Sequence, residues 1–188
     1  MKTFLIVEGQ GEVGALPVLL RRLAAEESLS LELPGSPWRE PRQRILMREH
    51  LGAVLQVARR RAEAVLIVLD ADDDCAVELG AKIRAMAHEL MPGFPTFVVA
   101  AVREFEAWFL AAAESLRGKR GLPLDLARPE DPEAVRDAKG WLSERMPRRY
   151  SPTLDQSALC AAMAVGEAAA HSRSFQKFLK DVRAIGGA

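Results

Sequence analysis

The sequence predicts an α/β fold, in which a mostly parallel sheet is flanked by helices and followed by an α-helical C-terminal extension. Apolar runs of strand length alternate with segments of helical periodicity through about the first 116 residues. The runs are apolar throughout, as in parallel strands buried on both faces. Beyond them only helical patterns recur. We therefore expect an α/β domain over residues 1–117 and a helical extension packed on it over residues 118–188.

Four segments have the composition of buried strands, and turn residues lie beside them. They cover residues 3–7, 29–33, 65–70 and 95–102. A glycine-bearing turn follows the first segment. Pro34-Gly35-Ser36-Pro37 follows the second, and Pro92-Gly93 precedes the fourth.

Seven segments repeat apolar residues three or four positions apart, as one face of a helix does. They cover residues 13–27, 42–61, 74–90, 104–116, 132–146, 153–169 and 172–185. A charged connector with several prolines, residues 118–131, separates the fourth from the fifth. Phe105, Trp108 and Phe109 lie at helical spacing, which predicts core positions.

Composition limits the class of protein. The chain has 188 residues, 26 basic and 26 acidic, so its net charge of zero gives no general attraction for nucleic acid. Cys75 and Cys160 do not form a disulfide framework, and we expect Cys75 to be buried. The N-terminal apolar run is too short for a signal peptide, and no stretch is suited to span a membrane. These features predict a cytoplasmic protein.

The most informative segment is the third predicted strand, which ends in a run of acids. Val65-Leu66-Ile67-Val68-Leu69 leads into Asp70-Ala71-Asp72-Asp73-Asp74. Like charges this close repel each other, and a bound divalent cation would remove the repulsion. The alternative is a helix N-terminus, where Asp72, Asp73 or Asp74 would cap the next helix. That alternative accounts for one or two of the acids.

The loop after the first strand allows two interpretations. Glu8-Gly9-Gln10-Gly11-Glu12-Val13-Gly14 is a literal G-x-G-x-x-G between a strand and a helix, and Glu32 follows where a dinucleotide fold has its ribose-binding acid. However, Glu8 and Glu12 would repel a pyrophosphate. In the other interpretation Gly11 and Gly14 are turn and packing glycines, and the carboxylates are the functional groups.

Acids follow three of the predicted strands. Glu8 follows the first, Asp70 and Asp72 end the third, and Glu104 and Glu106 follow the fourth. The carboxyl ends of parallel strands share one edge, where ligands bind. Hard oxygen ligands in this number suit Mg²⁺ or Mn²⁺. The alternative for Glu12, Glu104 and Glu106 is a role as helix N-terminal charges.

These residues resemble the pattern of Toprim domains, which occur in topoisomerases, primases and overcoming-lysogenization-defect (OLD) nucleases. The stretches VEGQGE, VLDADDD and REFEAWFLA, with Ser172-Arg173-Ser174-Phe175 in the helical tail, look most like a small Toprim-related family, domain of unknown function 4276. The resemblance covers essentially the whole chain. It implies a Toprim-like (Rossmann-like) sheet.

The resemblance also implies roles for single residues. Glu8 matches the Toprim glutamate, a metal ligand or general acid/base, and Asp70 and Asp72 match the Asp-x-Asp metal ligands. Glu12 matches a second glutamate of nuclease-type Toprims. Glu104 and Glu106 match more loosely the acids that hold a second metal. Two such metals would stabilise the attacking and leaving oxygens of a phosphodiester.

Beyond the resemblance, arginine clusters favour a nucleic-acid substrate. Seven arginines lie between Trp38 and Arg61 against two glutamates, Arg42 and Arg44 among them, and Arg148 and Arg149 form a second group. The guanidinium fork suits phosphate. The alternative is a solvated helix face.

The sequence therefore predicts a Mg²⁺- or Mn²⁺-dependent phosphoryl-transfer enzyme, a Toprim-type nuclease acting on nucleic acid. The resemblance implies a defence or repair module, often with an ATPase partner. One alternative is a non-catalytic metal-binding subunit that docks on such a partner. The other is a nucleotide-binding domain.

Overall fold

A computed structural model describes residues 1–187 and contains one sheet of four parallel strands in that part of the chain. The order across the sheet is β2-β1-β3-β4. The strands are β1 Thr3–Val7, β2 Trp38–Arg39, β3 Ala64–Asp70 and β4 Thr96–Ala101. The prediction of an α/β fold with a parallel sheet flanked by helices and C-terminal helices is confirmed.

Helices cover both faces of the sheet and form the C-terminal part. They are α1 Gln10–Glu26, α2 Arg42–Ile45, α3 Arg48–Arg61, α4 Ala76–Leu90, α5 Ala107–Ala111, α6 Ala138–Arg145, α7 Pro152–Ala162, α8 Val165–His171 and α9 Arg173–Gly186. Short 3₁₀ turns lie at Glu114–Leu116, Lys119–Gly121 and Pro132–Ala134. None of the helices described is long and apolar enough to cross a membrane.

The predicted second strand at residues 29–33 is wrong. That segment contributes one isolated bridge, Glu32 to Lys2. Its backbone is held instead by helix ends, because Leu29 N donates to Ala24 O (2.9 Å) and Ser30 N to Gly186 O (3.1 Å). The strand that pairs with β1 on the side away from β3 comes later, at Trp38–Arg39.

Several predicted helices are shorter or divided. Residues 42–61 form α2 and α3, and residues 153–169 fall into α7 and α8. The division follows backbone geometry, because Met47 and Met163 have extended ψ angles of 119° and 140°. Cys75 is exposed, so its predicted burial is wrong. The residue directly precedes α4 on the surface.

The sheet separates two cores. Side chains on one face of β1, β3 and β4 pack against α3 and α4. Those on the other face pack against α1, α5 and the C-terminal helices. Trp108 lies at the centre of the second core, with ring centroids 5.2 Å from Phe175 and 5.1 Å from Phe178. Its indole N–H donates to Ser174 Oγ at 2.9 Å. The predicted core positions of Phe105, Trp108 and Phe109 are confirmed, and the C-terminal helices complete this core.

Candidate functional site

Carboxylates link the ends of three neighbouring strands. Glu8 directly follows β1, and its Oε2 accepts a hydrogen bond from the backbone N of Asp70, the last residue of β3, at 3.2 Å. Asp70 Oδ1 in turn accepts from the backbone N of Phe105, just beyond β4, at 2.7 Å. Each strand end is thus tied to the next by an acid, at the sheet edge where ligands of parallel α/β folds bind.

A single ammonium lies among three of these acids. Lys139, on α6, places its Nζ 3.0 Å from Glu106 Oε2, 3.3 Å from Glu104 Oε1 and 3.8 Å from Asp70 Oδ2. The backbone N of Lys139 also donates to Glu104 Oε2 at 3.1 Å. The C-terminal extension therefore supplies the cation that faces the acids at the strand ends.

A buried hydrogen-bond network connects Glu12 with one of the three acids that face Lys139. Glu106 is fully buried, and its Oε1 accepts from Tyr150 Oη at 2.9 Å and from Gln156 Nε2 at 2.8 Å. Gln156 Nε2 also donates to Glu12 Oε1 at 3.0 Å, and Glu12 Oε2 accepts from the backbone N of Gly9. We call Glu8, Glu12, Asp70, Glu104, Glu106 and Lys139 the carboxylate cluster.

The electrostatics of the cluster are unbalanced. Burial, reinforced by the negative charge of Glu106, raises the pKa of Asp70 well above its ordinary value. Burial also raises the pKa of Glu8, with a smaller contribution from the charge of Asp72. Burial lowers the pKa of Lys139, but the charges of Glu106, Asp70 and Glu104 outweigh it and raise that pKa overall. Lys139 is therefore charged at neutral pH, while the acids around it remain short of positive partners.

The remaining acids of the aspartate run have partners of their own. Arg42 binds the carboxylates of Asp72, at 2.7 Å, and Asp74. Arg103 binds Asp73, which Arg136 also approaches at 3.2 Å. Asp72 is 63 % exposed, and its carboxylate is paired with Arg42.

The backbone is unusual where this run meets β4. Asp72 and Arg103 both have left-handed conformations, with φ of 50° and 62°. Asp72 N donates to Arg103 O at 2.9 Å, forming an isolated antiparallel bridge beyond the parallel strands. Residues other than glycine rarely adopt this conformation, and here two of them face each other across the bridge. This indicates backbone strain, which is typical of functional sites.

Comparison with known proteins assigns the family. The profile described as "Domain of unknown function (DUF4276)" matches residues 7–183. The chain belongs to the DUF4276 family. Searches of curated proteins and of solved structures found no match. The matched region contains the whole carboxylate cluster and the helices that complete it.

The donor atoms of this DUF4276 cluster suit a divalent cation in type and charge. All are hard carboxylate oxygens, and one lysine faces several acids. Gln156 Oε1, in the same network, is buried and has no hydrogen-bond partner among residues 1–187. In that part of the chain, however, no three His, Cys, Asp or Glu side chains are arranged as ligands of one ion. The cluster has suitable donors, with Lys139 between them.

The G-x-G-x-x-G of the DUF4276 chain packs one helix on another. A Cβ on Gly11 would lie 2.1 Å from Gln156 Oε1 and 2.7 Å from Pro152 Cβ, and one on Gly14 would lie 2.9 Å from Ser157 Oγ. Both glycines thus allow α1 to approach α7 closely. Their interpretation as packing residues is confirmed.

The arginines predicted to bind nucleic acid differ in their surroundings. Arg42 is largely buried in its ion pairs, and Arg148 binds the buried carboxylate of Asp155 at 2.7 and 3.0 Å. Arg44 is 60 % exposed, with Glu40 at 3.7 Å, and Arg149 is exposed. Arg42 and Arg148 therefore have structural partners, and Arg44 and Arg149 extend into solvent.

Sequence reasoning missed three residues of the site. Lys139, Tyr150 and Gln156 come from the C-terminal extension, far along the chain from the acids that they contact. Lys139 and Tyr150 were noticeable only as neighbours of arginines, and Gln156 carried no signal. No local pattern marks a residue whose function depends on a partner dozens of positions away.

Proposed function

We propose that this protein is a Toprim-type, Mg²⁺- or Mn²⁺-dependent phosphodiesterase that acts on nucleic acid. The observation that carries the proposal is the carboxylate cluster, in which five acids from three strand ends and α1 lie together and a single lysine contacts three of them. A protein gains nothing in stability from such an excess of buried negative charge. A divalent cation is the simplest source of the missing positive charge.

We propose that Asp70, Glu8 and Glu104 would bind the cation in place of the Lys139 ammonium, which lies near Asp70 and Glu104 in this structure. A bound cation supplies an activated water and charge stabilisation for a phosphodiester. Glu8 is suited to accept a proton, because burial raises its pKa above the ordinary value of a glutamate. Both oxygens of Glu12 are already hydrogen bonded, so we propose that it positions Gln156 and Glu106.

Basic residues beside the cluster support a phosphate-containing substrate. Lys139 lies within it, and Arg103 and Arg136 lie on its rim as partners of Asp73. Arg136 is 75 % exposed and can exchange its carboxylate partner for a phosphate. We propose that the nucleic acid approaches from this rim. The resemblance to OLD nucleases supports a role in defence or repair, and the free thiols of Cys75 and Cys160 agree with a cytoplasmic site.

A second candidate is a metal-binding subunit without catalytic activity that docks on a partner such as an ATPase. The position of Lys139 favours it, because an ammonium between the acids can stabilise them without a metal. A nucleotide-binding function has less support. Gly11 and Gly14 contact side chains of α7, where a dinucleotide would need an open hollow.

The test is a calorimetric titration with manganese chloride at near-physiological salt. We expect the wild type to bind the ion, and Asp70→Asn and Glu8→Gln to weaken binding by about tenfold or more. Lys139→Gln should strengthen binding, because it removes the competing ammonium. The matched control is Asp125→Asn, an exposed acid outside the cluster, which should bind like the wild type.

Cleavage of plasmid DNA and of single-stranded RNA, with the same variants and Mn²⁺, completes the test. Glu8→Gln should reduce cleavage by about a hundredfold or more, as expected for loss of a general base. Ion binding without cleavage would favour the non-catalytic subunit. No ion binding by the wild type would overturn the proposal.

A further inference from the structure

The outer edge of β4 is an unpaired strand edge. β4 pairs with β3, and in the described part of the chain no strand lies on its other side. The hydrogen bonds from Val65 N to Pro95 O and from Ala71 N to Ala101 O show that the odd-numbered residues of β4 face β3. In a parallel ladder the N–H and C=O of the intervening residues point the opposite way. Val98 and Ala100 therefore direct their backbone groups outward.

These outward groups lie in a groove of about 920 Å³. Its floor includes Val98, Ala100 and Val102, and α4 and residues 170–177 line its two sides. No hydrogen bond within residues 1–187 uses the outward N–H or C=O of Val98 or Ala100. Each residue is otherwise covered by the protein, with 4 % and 6 % of its surface exposed. A strand edge whose backbone groups have no partner within the protein is a template for pairing with another strand.

Two positively charged side chains of the groove have no ion-pair partner among residues 1–187. Of its acids, Asp74 binds Arg42, whereas Asp131 and Glu133 keep their charge and are held by hydrogen bonds from backbone N–H groups and serine hydroxyls. Arg84 and Arg173 are exposed and form no ion pair within the described residues. These two arginines are therefore available to pair with acids of a ligand.

We propose that the groove binds an extended, acidic segment of a partner protein, which adds to the sheet as a fifth strand beside β4. Strand addition satisfies the outward groups of Val98 and Ala100 through main-chain hydrogen bonds. Alternate side chains of the segment would contact Val77, an apolar residue that is 80 % exposed on the groove wall, while its acids pair with Arg84 and Arg173. This surface is distinct from the carboxylate cluster, and the inference does not depend on the proposed catalytic function.

The shape of the groove favours a peptide over a second copy of the chain. The edge of β4 is recessed between α4 and residues 170–177. In a symmetric pairing of two such edges, the walls of both copies would collide before the strands met. A single extended segment has no walls, and six residues of it span about 20 Å, the length of β4.

The test uses a pool of nine-residue peptides that alternate valine, isoleucine or threonine with glutamate or aspartate. Hydrogen exchange is followed by NMR in the full-length protein. We expect the amides of Val98 and Ala100 to exchange quickly in the free protein and at least about tenfold more slowly with the peptides, while Val99 and Ala101, already bonded to β3, change little. The same peptides N-methylated at alternate backbone amides should give no protection.

Charge reversal provides a second readout on the folded protein. The double variant Arg84→Glu, Arg173→Glu should weaken peptide binding by about tenfold or more. The matched control, Arg59→Glu with Arg60→Glu, changes two exposed arginines of α3 outside the groove and should bind normally. The proposal would be overturned by unchanged exchange at Val98 and Ala100, by equal binding of lysine-containing peptides, or by a dimer whose formation alone protects these amides.

Discussion

At the scale of single residues, Asp70 shows that the site is unfavourable for the stability of the folded protein. Its carboxylate accepts a hydrogen bond from Phe105 N and approaches Lys139, yet burial and the charge of Glu106 still raise its pKa. Folding therefore makes the ionisation of this acid less favourable. A folded protein keeps such a residue when its negative charge serves a function.

We expect Asp70→Asn to stabilise the protein at pH 7 in the absence of metal, by about 0.5–2 kcal/mol. The amide oxygen can still accept from Phe105 N, and the buried negative charge is removed. Because the pKa is higher in the folded state, the favourable contribution of Asp70 is complete below its unfolded pKa and is lost as the pH rises through its folded pKa. The difference between variant and wild type should therefore be largest at neutral pH and small near pH 3.

Urea unfolding at several pH values measures this difference. Asp125→Asn is the control, since that exposed acid should show no comparable gain. A wild type more stable than Asp70→Asn at neutral pH would mean that Lys139 fully compensates the charge and that the acid has a structural role.

At the scale of elements, the contact between α1 and α7 brings two halves of the site together. α1 carries Glu12 and α7 carries Gln156, and the amide of Gln156 connects Glu12 with Glu106. The close approach depends on Gly11, whose hydrogen faces Gln156 and Pro152. A pattern that resembles a phosphate-binding loop therefore serves as a helix-packing surface.

Gly11→Ala should destabilise the protein by about 1–3 kcal/mol, because the new methyl group would overlap Gln156 and the rigid ring of Pro152. The matched control is Gly52→Ala in α3, where the added Cβ would lie 3.6 Å from Leu90 in ordinary contact. That change should stabilise by about 0.5–1 kcal/mol through helix propensity. Thermal unfolding of both variants measures the contrast, and equal effects would contradict the close packing of α1 on α7.

At the scale of the whole molecule, the C-terminal helices belong to the core of the α/β layer. Trp108 follows the sheet in sequence, but Phe175 and Phe178 of α9 pack against its ring. Lys139, Tyr150 and Gln156 also come from this part of the chain. Folding of the C-terminal helices and assembly of the site are therefore coupled.

We expect a chain that ends at residue 117 to remain unfolded, because the apolar face around Trp108 would lose its cover. The full chain should unfold in one transition, with the same midpoint by circular dichroism and by tryptophan fluorescence. A chain that ends at Gly186, the last residue of α9, is the control and should fold. A cooperative transition in the shorter chain would show that residues 1–117 form an independent domain.

Much of the fold was predictable from local patterns. The apolar runs at β1, β3 and β4 predicted three of the four strands, because burial on both faces requires apolar side chains at successive positions. The same runs placed Glu8 and Asp70 at one edge of the sheet, where the structure links them. The remaining strand, β2, was misplaced, since two residues at a sheet edge carry too little pattern to be recognised.

The sequence alone thus determined the α/β class, the family and the presence of acids at the strand ends, all of which depend on residue type and short-range spacing. The tertiary structure alone decided how their charges are compensated. Arg42 forms ion pairs with Asp72 and Asp74. Lys139 faces Asp70, Glu104 and Glu106. These pairs join residues that are about thirty or more positions apart, and their distances are set by how helices pack on the sheet, which no local pattern records.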